Sequence, residues 1–299
     1  MNTQVLSIYL QHILRRHKDH ITLKIKTKTL ATESRLDSSD RPIPASTSNS
    51  IQMRKRAIDL GAGTGLLSLA MRNLGYDVLS TDIGFISEGI LRQNIERNST
   101  LGQRETPAGE GREAGVRASC LDWTVDSEDW DWGIGNDVTP SSSSLTTPSS
   151  PPVVGNGIVV ESKDNVDFET NRFSPPFSLI LTTDSIYHPS LIQPLLDTLR
   201  SLSILSTYSP HVANRTSFPR QPPEIYLALE NRDPALIDSF WEEATTMGFK
   251  SSRVESGVLK KVMERAYEKG GEEGKWELGW RRDEWEGVEI WKMSYKEAK

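Results

Sequence analysis

The sequence predicts an α/β fold in which a largely parallel sheet is flanked by helices. Three observations lead to this prediction. A short apolar strand from Ala57 to Leu60 runs through a glycine-rich turn into a helix. The next strand, Tyr76 to Ile83, ends in an acidic residue, Asp82. Strands and helices alternate again after residue 176, as they do in proteins built from βαβ units.

The glycine-rich turn reads D-L-G-A-G-T-G from Asp59 to Gly65. Its glycines allow the backbone conformations that a sharp turn from strand to helix requires. The N–H groups of the new helix face the carboxyl edge of the sheet, so the turn predicts a ligand site. A dinucleotide fingerprint would need its third glycine at Leu66. Asp59 would repel a pyrophosphate but attract the ammonium group of an amino-acid ligand.

The remaining elements follow from the apolar pattern. The first 20 residues predict an amphipathic helix, and residues 31–50 are polar and predict a flexible connection. We therefore expect residues 1–52 to precede a domain formed by residues 53–299. The predicted strands are Ala57–Leu60, Tyr76–Ile83, Val116–Leu121, Phe177–Thr182, Glu224–Glu230, Phe249–Val254 and Val288–Ser294. The predicted helices of the domain are Gly65–Leu74, Ser87–Asn98, Leu191–Leu205 and Ala235–Met247.

Two polar segments interrupt this alternation. Residues 125–176 lose the apolar pattern and contain the run S-S-S-S-L-T-T-P-S-S-P-P, and residues 206–223 form a second polar loop with prolines. Both predict disordered insertions in surface loops, because a strand follows each of them. Between the last two strands, Trp276, Trp280 and Trp285 predict a hairpin or short helix anchored on the sheet. A surface that faces a partner is the second interpretation.

Composition narrows the classes of function. The net charge of -6, without a dense run of Lys and Arg, argues against a nucleic-acid partner. The single cysteine, Cys120, excludes internal disulfides and fits a reducing compartment, and the five histidines show no metal-binding spacing. We find no apolar run of membrane-spanning length and no signal pattern. These features predict a soluble cytoplasmic or nuclear protein without a metal.

Two further side chains follow predicted strands. Asp82 lies where a doubly wound fold places the carboxylate that binds the ribose hydroxyls of an adenosine ligand. It could also cap the helix that begins near Ile86. Trp123, just past the third strand, is positioned either to lie against an adenine ring or to cover the edge of the sheet.

Together, these motifs resemble the class I, or seven-β-strand, S-adenosylmethionine-dependent methyltransferases, and more narrowly the lysine methyltransferases of methyltransferase family 16. The resemblance is carried by I-D-L-G-A-G-T-G-L-L at 58–67, by T-D-I at 81–83 with Asn94 and Asn98 in the following helix and L-D-W at 121–123, and by L-I-L-T-T-D-S-I-Y at 179–187. It implies a Rossmann-like seven-stranded mixed sheet flanked by helices. It also implies S-adenosylmethionine as cofactor and a lysine ε-amine of a protein substrate as methyl acceptor.

The predicted cofactor-binding residues lie in the glycine turn or directly after a strand. They are Asp59, Gly61, Ala62, Gly63, Gly65, Asp82, Trp123 and Thr183. By resemblance, the turn would contact the methionine and ribose parts of the cofactor, Asp82 the ribose hydroxyls and Trp123 the adenine. Thr183 stands where the family often has a smaller alanine. The family's tryptophan upstream of the turn has no counterpart in residues 1–56.

The resemblance implies that Asp184 and Tyr187 are catalytic and line the channel for the substrate lysine. A free lysine has a pKa of ~10.4, so the site must favour the neutral amine. Asp184 could orient the amine or accept its proton through water, while Tyr187 closes the channel. Tyr187 could instead be a side chain that covers the top of the sheet.

The resemblance points to translation factors, ribosomal proteins or chaperones as protein substrates. The sequence is also compatible with other functions. Residues 184–187 occupy the strand end at which methyltransferases of nucleic-acid bases carry D-P-P-Y, although both prolines are absent. A small-molecule substrate and an inactive cofactor-binding scaffold are further alternatives, but a scaffold would have no need of the glycine turn and Asp82.

Overall fold

Seven strands form one sheet in this computed structural model, which describes residues 1–15, 55–101, 113–133, 137–140, 172–208, 221–273 and 285–296. The strands are β1 (Arg56–Leu60), β2 (Asp77–Asp82), β3 (Val116–Cys120), β4 (Leu179–Thr183), β5 (Glu224–Glu230), β6 (Phe249–Arg253) and β7 (Val288–Tyr295). Their order is β3-β2-β1-β4-β5-β7-β6. The first five strands pair in parallel, and β7 runs antiparallel to both β5 and β6. The predicted seven-stranded mixed sheet is confirmed.

The helices are α1 (residues 2–15), α2 (Leu66–Asn73), α3 (Gly84–Ile86), α4 (Arg92–Leu101), α5 (Ile192–Tyr208), α6 (Pro234–Thr246) and α7 (Ser256–Glu273). The helix predicted after β2 starts earlier than expected and is not regular. A π-helical turn, Ser87–Leu91, joins α3 to α4, and Gly89 within it has φ -87° and ψ -110°. Helix α7 was not among the helices predicted from the sequence.

Both faces of the sheet are covered, because side chains alternate along each strand. On one face, Ile58, Ile180 and Leu227 pack with residues of α5 and α6. On the other face, Ala57 and Leu181 pack with residues of α1, α2 and α7. Buried strands of this kind account for the nearly continuous apolar runs in the sequence of β1, β4 and β5.

Helix α1 is the amphipathic helix that the sequence predicts near its start. Leu6 and Leu10 are fully buried on the second face of the sheet. The ring centroid of Tyr9 lies 6.4 Å from that of Tyr226 on β5. The predicted connection at residues 31–50 and the expected boundary at residue 52 lie outside the described residues.

The segment predicted as the first insertion begins with chain that folds onto the core. Trp130 and Val138 are buried, and the ring centroids of Trp130 and Trp132 lie 5.9 Å apart. These aromatic rings provide apolar area without the periodic pattern by which strands and helices are predicted. The rest of this insertion up to residue 171, residues 209–220 of the second insertion, Trp276 and Trp280 lie outside the described residues. Trp285 is buried, as an anchor on the sheet should be.

The sheet order determines where a ligand can bind. The chain passes from β1 to β2 on one side and later returns to the other side of β1 as β4. Such a reversal opens a crevice at the carboxyl ends of the two strands, where open α/β folds bind their ligands. Among the described residues, no helix is long and apolar enough to cross a membrane.

Candidate active site

The glycine turn at the end of β1 has a left-handed backbone at three positions. The φ angles are 65° at Gly61, 55° at Gly63 and 79° at Gly65. The turn is closed by two backbone hydrogen bonds, each 2.9 Å long. The N–H of Ala62 donates to the carbonyl of Thr81 on β2, and that of Gly65 donates to the carbonyl of Ala62. The spaced glycines in the sequence are therefore required by backbone geometry.

The surroundings of the three glycines differ. A Cβ added at Gly63 would meet no atom of the described residues within 4 Å, so the turn borders open space there. A Cβ at Gly65 would lie 2.8 Å from Leu91 Cδ1, which shows how closely α2 approaches the next helical segment. A Cβ at Gly61 would lie 3.3 Å from Trp123 Cζ2. The structure therefore brings Trp123 against the glycine turn.

Asp82, at the end of β2, is bonded directly to the turn. Its Oδ2 accepts a hydrogen bond of 2.8 Å from the N–H of Gly63, and its Oδ1 accepts one of 2.8 Å from the N–H of Ile83. Partial burial raises the pKa of Asp82, and the two backbone hydrogen bonds oppose that effect. Each oxygen keeps a second lone pair for a ligand hydroxyl. Ile83 is the N-cap of α3, and no side chain of the described residues caps that helix, so Asp82 does not have the predicted capping role.

Asp59 lies behind the turn. It is 1% exposed, and its Oδ2 accepts a hydrogen bond of 2.7 Å from Ser68 Oγ, which lies 2.7 Å from Ser80 Oγ. Burial raises the pKa of Asp59 to about 7, with a smaller contribution from the nearby charge of Asp82. The expectation that Asp59 attracts the ammonium of a ligand directly is not supported by this geometry. The side chain points to the sheet face that α2 covers.

The chain after β3 is held by residues that the sequence analysis assigned to an insertion. The N–H of Asp122 donates to Thr139 Oγ1 over 2.9 Å, and the N–H of Cys120 donates to Asp137 Oδ1 over 2.8 Å. Trp123 is half-buried and packs against the core. Both interpretations of Trp123 are compatible with this position, since its ring borders the glycine turn and covers the end of the sheet.

The end of β4 lies next to β1, where Leu60 pairs with Thr182. Thr183 is buried, whereas Asp184 is exposed and has a left-handed φ of 57°. The N–H of Asp184 donates to the carbonyl of Ala228 on β5 over 3.0 Å. Tyr187 is 70% exposed. The structure therefore places both predicted catalytic residues after β4, at the crevice side of the sheet.

Three contacts at these strand ends were not predicted as part of the site. Asn2 Nδ2 donates to Asp184 Oδ1, and Thr3 Oγ1 lies 3.0 Å from Thr183 Oγ1. Asn94 Nδ2, on α4, donates to the carbonyl of Thr64 in the glycine turn over 3.0 Å. Asn94, in the helix after T-D-I, belonged to the family resemblance without an assigned contact, whereas no local pattern marks Asn2 or Thr3.

A sequence model of a protein family described as "Lysine methyltransferase" matches residues 3–146. This match spans α1, the glycine turn, Asp82 and Trp123. This match identifies the chain as an S-adenosylmethionine-dependent methyltransferase. No similar sequence was found among curated proteins.

Several solved methyltransferase structures are similar to this methyltransferase at low identity. A ribosomal protein L11 methylase from Lactobacillus delbrueckii subsp. bulgaricus is 13% identical, with 83% of this chain and 73% of that chain covered and a TM-score of 0.33. A TehB-like methyltransferase from Corynebacterium glutamicum is 11% identical, with 94% and 100% covered and a TM-score of 0.35. The mitomycin 7-O-methyltransferase MmcR is 9% identical, with 81% and 49% covered and a TM-score of 0.38, so the chain spans about half its length. These similarities are too weak to identify a substrate.

The cofactor of the methyltransferase is S-adenosylmethionine, and the residues at the strand ends suit it. Gly63 borders open space, and Gly65 at the start of α2 has no side-chain cap among the described residues. The first N–H groups of α2 are thus free of a capping side chain that would compete with a ligand carboxylate. Beside these N–H groups, the carboxylate oxygens of Asp82 can accept hydrogen bonds from ligand hydroxyls. Within the described chain, no group of three or more His, Cys, Asp or Glu side chains could hold a metal ion.

Proposed function

We propose that this methyltransferase transfers a methyl group from S-adenosylmethionine to the ε-amine of a lysine in a protein substrate. The observation that carries the proposal is the exposed carboxylate of Asp184 at the crevice, next to the strand that ends in the glycine turn. Its positive φ is uncommon for a residue other than glycine, and such backbone conformations cluster at functional sites. The family description supports the same substrate class.

The proposal gives each predicted cofactor residue a role. Asp82 accepts the ribose hydroxyls with the lone pairs that its backbone hydrogen bonds leave free. Backbone of Gly61, Ala62 and Gly63 contacts the methionine and ribose parts, and Trp123 lies by the adenine. Thr183 contacts the cofactor at the end of β4. Asp59 and Gly65 act indirectly, since both are packed against α2 or its neighbours and shape the turn.

Methyl transfer depends more on the relative position of the amine and the methyl group than on acid catalysis. S-adenosylmethionine supplies a methyl group on a positively charged sulfur, and the neutral thioether leaves without protonation. The protein must hold the amine in line with that methyl group at near-attack distance. It must also take the lysine, whose ordinary pKa is ~10.4, in its neutral form. Asp184 orients the amine and accepts its proton through water, while the Tyr187 ring forms a wall of the channel.

The charge of the protein favours a basic acceptor. A net charge of -6 and an exposed carboxylate at the site attract a lysine side chain and repel a nucleic-acid backbone. The family resemblance extends the proposal to a translation factor, ribosomal protein or chaperone as the substrate. We propose a cytoplasmic or nuclear location, which fits the single cysteine of the chain.

The test is to incubate the protein with methyl-labelled S-adenosylmethionine and a cell lysate, then hydrolyse the labelled fraction and identify the modified residue. We expect ε-N-methyllysine, and at least a tenfold lower rate for Asp184→Asn. Asp197→Asn is the matched control, because Asp197 lies on α5 and bonds to Gln193 on the same helix. Label that appears in nucleic acid or in small molecules would contradict the proposal.

A further inference from the structure

Helix α1 contributes polar side chains to the substrate end of the site. Asn2 Nδ2 donates a hydrogen bond to Asp184 Oδ1 across a separation of 182 residues. Next to it, Thr3 Oγ1 lies 3.0 Å from Thr183 Oγ1. The carboxylate assigned to the substrate amine is therefore held by a residue from a distant part of the chain.

The burial of Asn2 is informative because its amide is only half satisfied. Asn2 is 2% exposed, and its Oδ1 is buried without a hydrogen-bond partner among the described residues. A buried carbonyl oxygen without a donor is unfavourable, whereas an apolar side chain of the same shape would avoid that penalty. Rotating the amide would point Oδ1 at a carboxylate oxygen, which is also an acceptor. The one contact that explains an asparagine here is the bond to Asp184.

We propose that Asn2 is a positioning residue, which fixes the direction of the Asp184 carboxylate so that its second oxygen, Oδ2, is presented to the substrate amine. This inference rests on the proposed lysine transfer. The backbone of Asp184 is already fixed by its bond to Ala228, but its exposed side chain would otherwise rotate freely. Removing that rotation preserves the near-attack geometry on which methyl transfer depends.

The first test is Asn2→Leu, which keeps the shape of the side chain and removes both polar atoms. Initial rates of methyl transfer into lysate protein are measured over a range of S-adenosylmethionine concentrations. We expect the maximal rate to fall at least fivefold, while the apparent KM for S-adenosylmethionine and the unfolding temperature stay close to those of the wild type. Ser7→Ala is the control, because it removes a buried hydroxyl elsewhere on α1. It should leave the rate unchanged.

A second measurement does not depend on the folding of an Asn2 variant. In the ¹⁵N spectrum of the full chain, the side-chain amide signals of Asn2 should move when Asp184→Asn removes the carboxylate. If the Asn2 amide signals do not move, the inference is overturned. It is also overturned if Asn2→Leu methylates at the same rate as the wild type. Asn2→Leu that lowers the unfolding temperature and raises the apparent KM together would show a merely structural role. A wild type that binds S-adenosylhomocysteine but methylates no lysine would overturn the proposed function, and this inference with it.

Discussion

The glycine turn and the end of β4 form two sides of one site but are tied to the fold in different ways. Around the turn, the polar residues have internal partners: Asp82 bonds to Gly63 and Ile83, and Asp59 bonds to Ser68. At the end of β4, Asp184 accepts one hydrogen bond from Asn2 and is otherwise exposed, and Tyr187 is exposed. Cofactor residues therefore also maintain the structure, whereas the exposed Tyr187 side chain contributes little to it.

A loss of function should therefore be accompanied by a loss of stability at the glycine turn but not at Tyr187. Substitutions at the turn should change both quantities, because each side chain there has a packing or hydrogen-bonding role. Substitutions of Tyr187 at the exposed end of β4 should change the transfer rate alone.

The largest expected effect concerns Asp59 and pH. Burial raises its pKa to about 7 from 3.8, so the native state holds a proton that the unfolded chain releases between these values. Stability should therefore fall as pH rises from about 4 to about 7, by on the order of 4 kcal/mol at 1.36 kcal/mol per pKa unit. Asp59→Asn cannot ionise and should be more stable than the wild type at pH 8, with little difference near pH 4.

Urea denaturation across this pH range checks the prediction. A matched variant, Ser68→Ala, removes the hydrogen bond that opposes the rise in the Asp59 pKa, so its stability should continue to fall at higher pH than that of the wild type. Stability curves of the wild type and Asp59→Asn that run parallel from pH 4 to pH 8 would contradict the assignment.

Asp82→Ala should weaken binding of S-adenosylhomocysteine by about 100-fold, which corresponds to roughly 3 kcal/mol. The substitution removes the proposed ribose acceptor and the partner of two backbone N–H groups. Calorimetric titration measures the affinity. Asp77→Ala is the control, since Asp77 accepts a backbone hydrogen bond from Gly115 at the opposite end of the same strand. Equal losses in the two variants would show a general effect on β2.

Gly65→Ala and Gly63→Ala separate packing from backbone conformation. Both glycines have positive φ, which costs about 1–2 kcal/mol for a residue with a Cβ. Only Gly65 has a close neighbour, Leu91 Cδ1 at 2.8 Å from the added Cβ. We expect Gly65→Ala to lower the free energy of unfolding by about 1–2 kcal/mol more than Gly63→Ala, because overpacking adds to the strain. Equal losses in chemical denaturation would contradict the close packing at Gly65.

The smallest stability effect is expected at Tyr187. Because its side chain is 70% exposed, Tyr187→Ala should change the free energy of unfolding by less than about 0.5 kcal/mol. The same variant should lower the rate of methyl transfer about tenfold, and Tyr187→Phe should retain more activity because it keeps the ring. A clear loss of stability with an unchanged rate would favour the interpretation in which Tyr187 only covers the sheet.

The part of the fold that the sequence predicts is the part with local signals. An apolar run followed by spaced glycines identifies β1, its turn and α2 within a short stretch. Asp82 lies 19 residues after Gly63, on the next strand, and it accepts a hydrogen bond from the N–H of Gly63. The fold, the cofactor and the two sides of the crevice could therefore be predicted from pattern and resemblance.

The contacts that escaped prediction join distant or irregular segments. Asn2 meets Asp184 across 182 residues, and no local pattern marks such a pair. Thr139 supports the chain before Trp123 from a segment that lacks periodicity. The direction of Asp59 follows from the alternation of β1, which puts it on the face of Ala57, but only the position of Ser68 on α2 shows that its carboxylate is enclosed.

The position of β7 between β5 and β6 has a consequence for synthesis on the ribosome. Strand β6 is made before β7, yet within the described sheet its strand partner is β7 alone. A nascent chain that has emerged as far as α7 therefore carries one strand that has no place in the sheet, and the edge of β5 stays unpaired. Such edges are sites of aggregation until they are covered. A chain cut before Val288 loses two strands from its sheet, although only one has been removed.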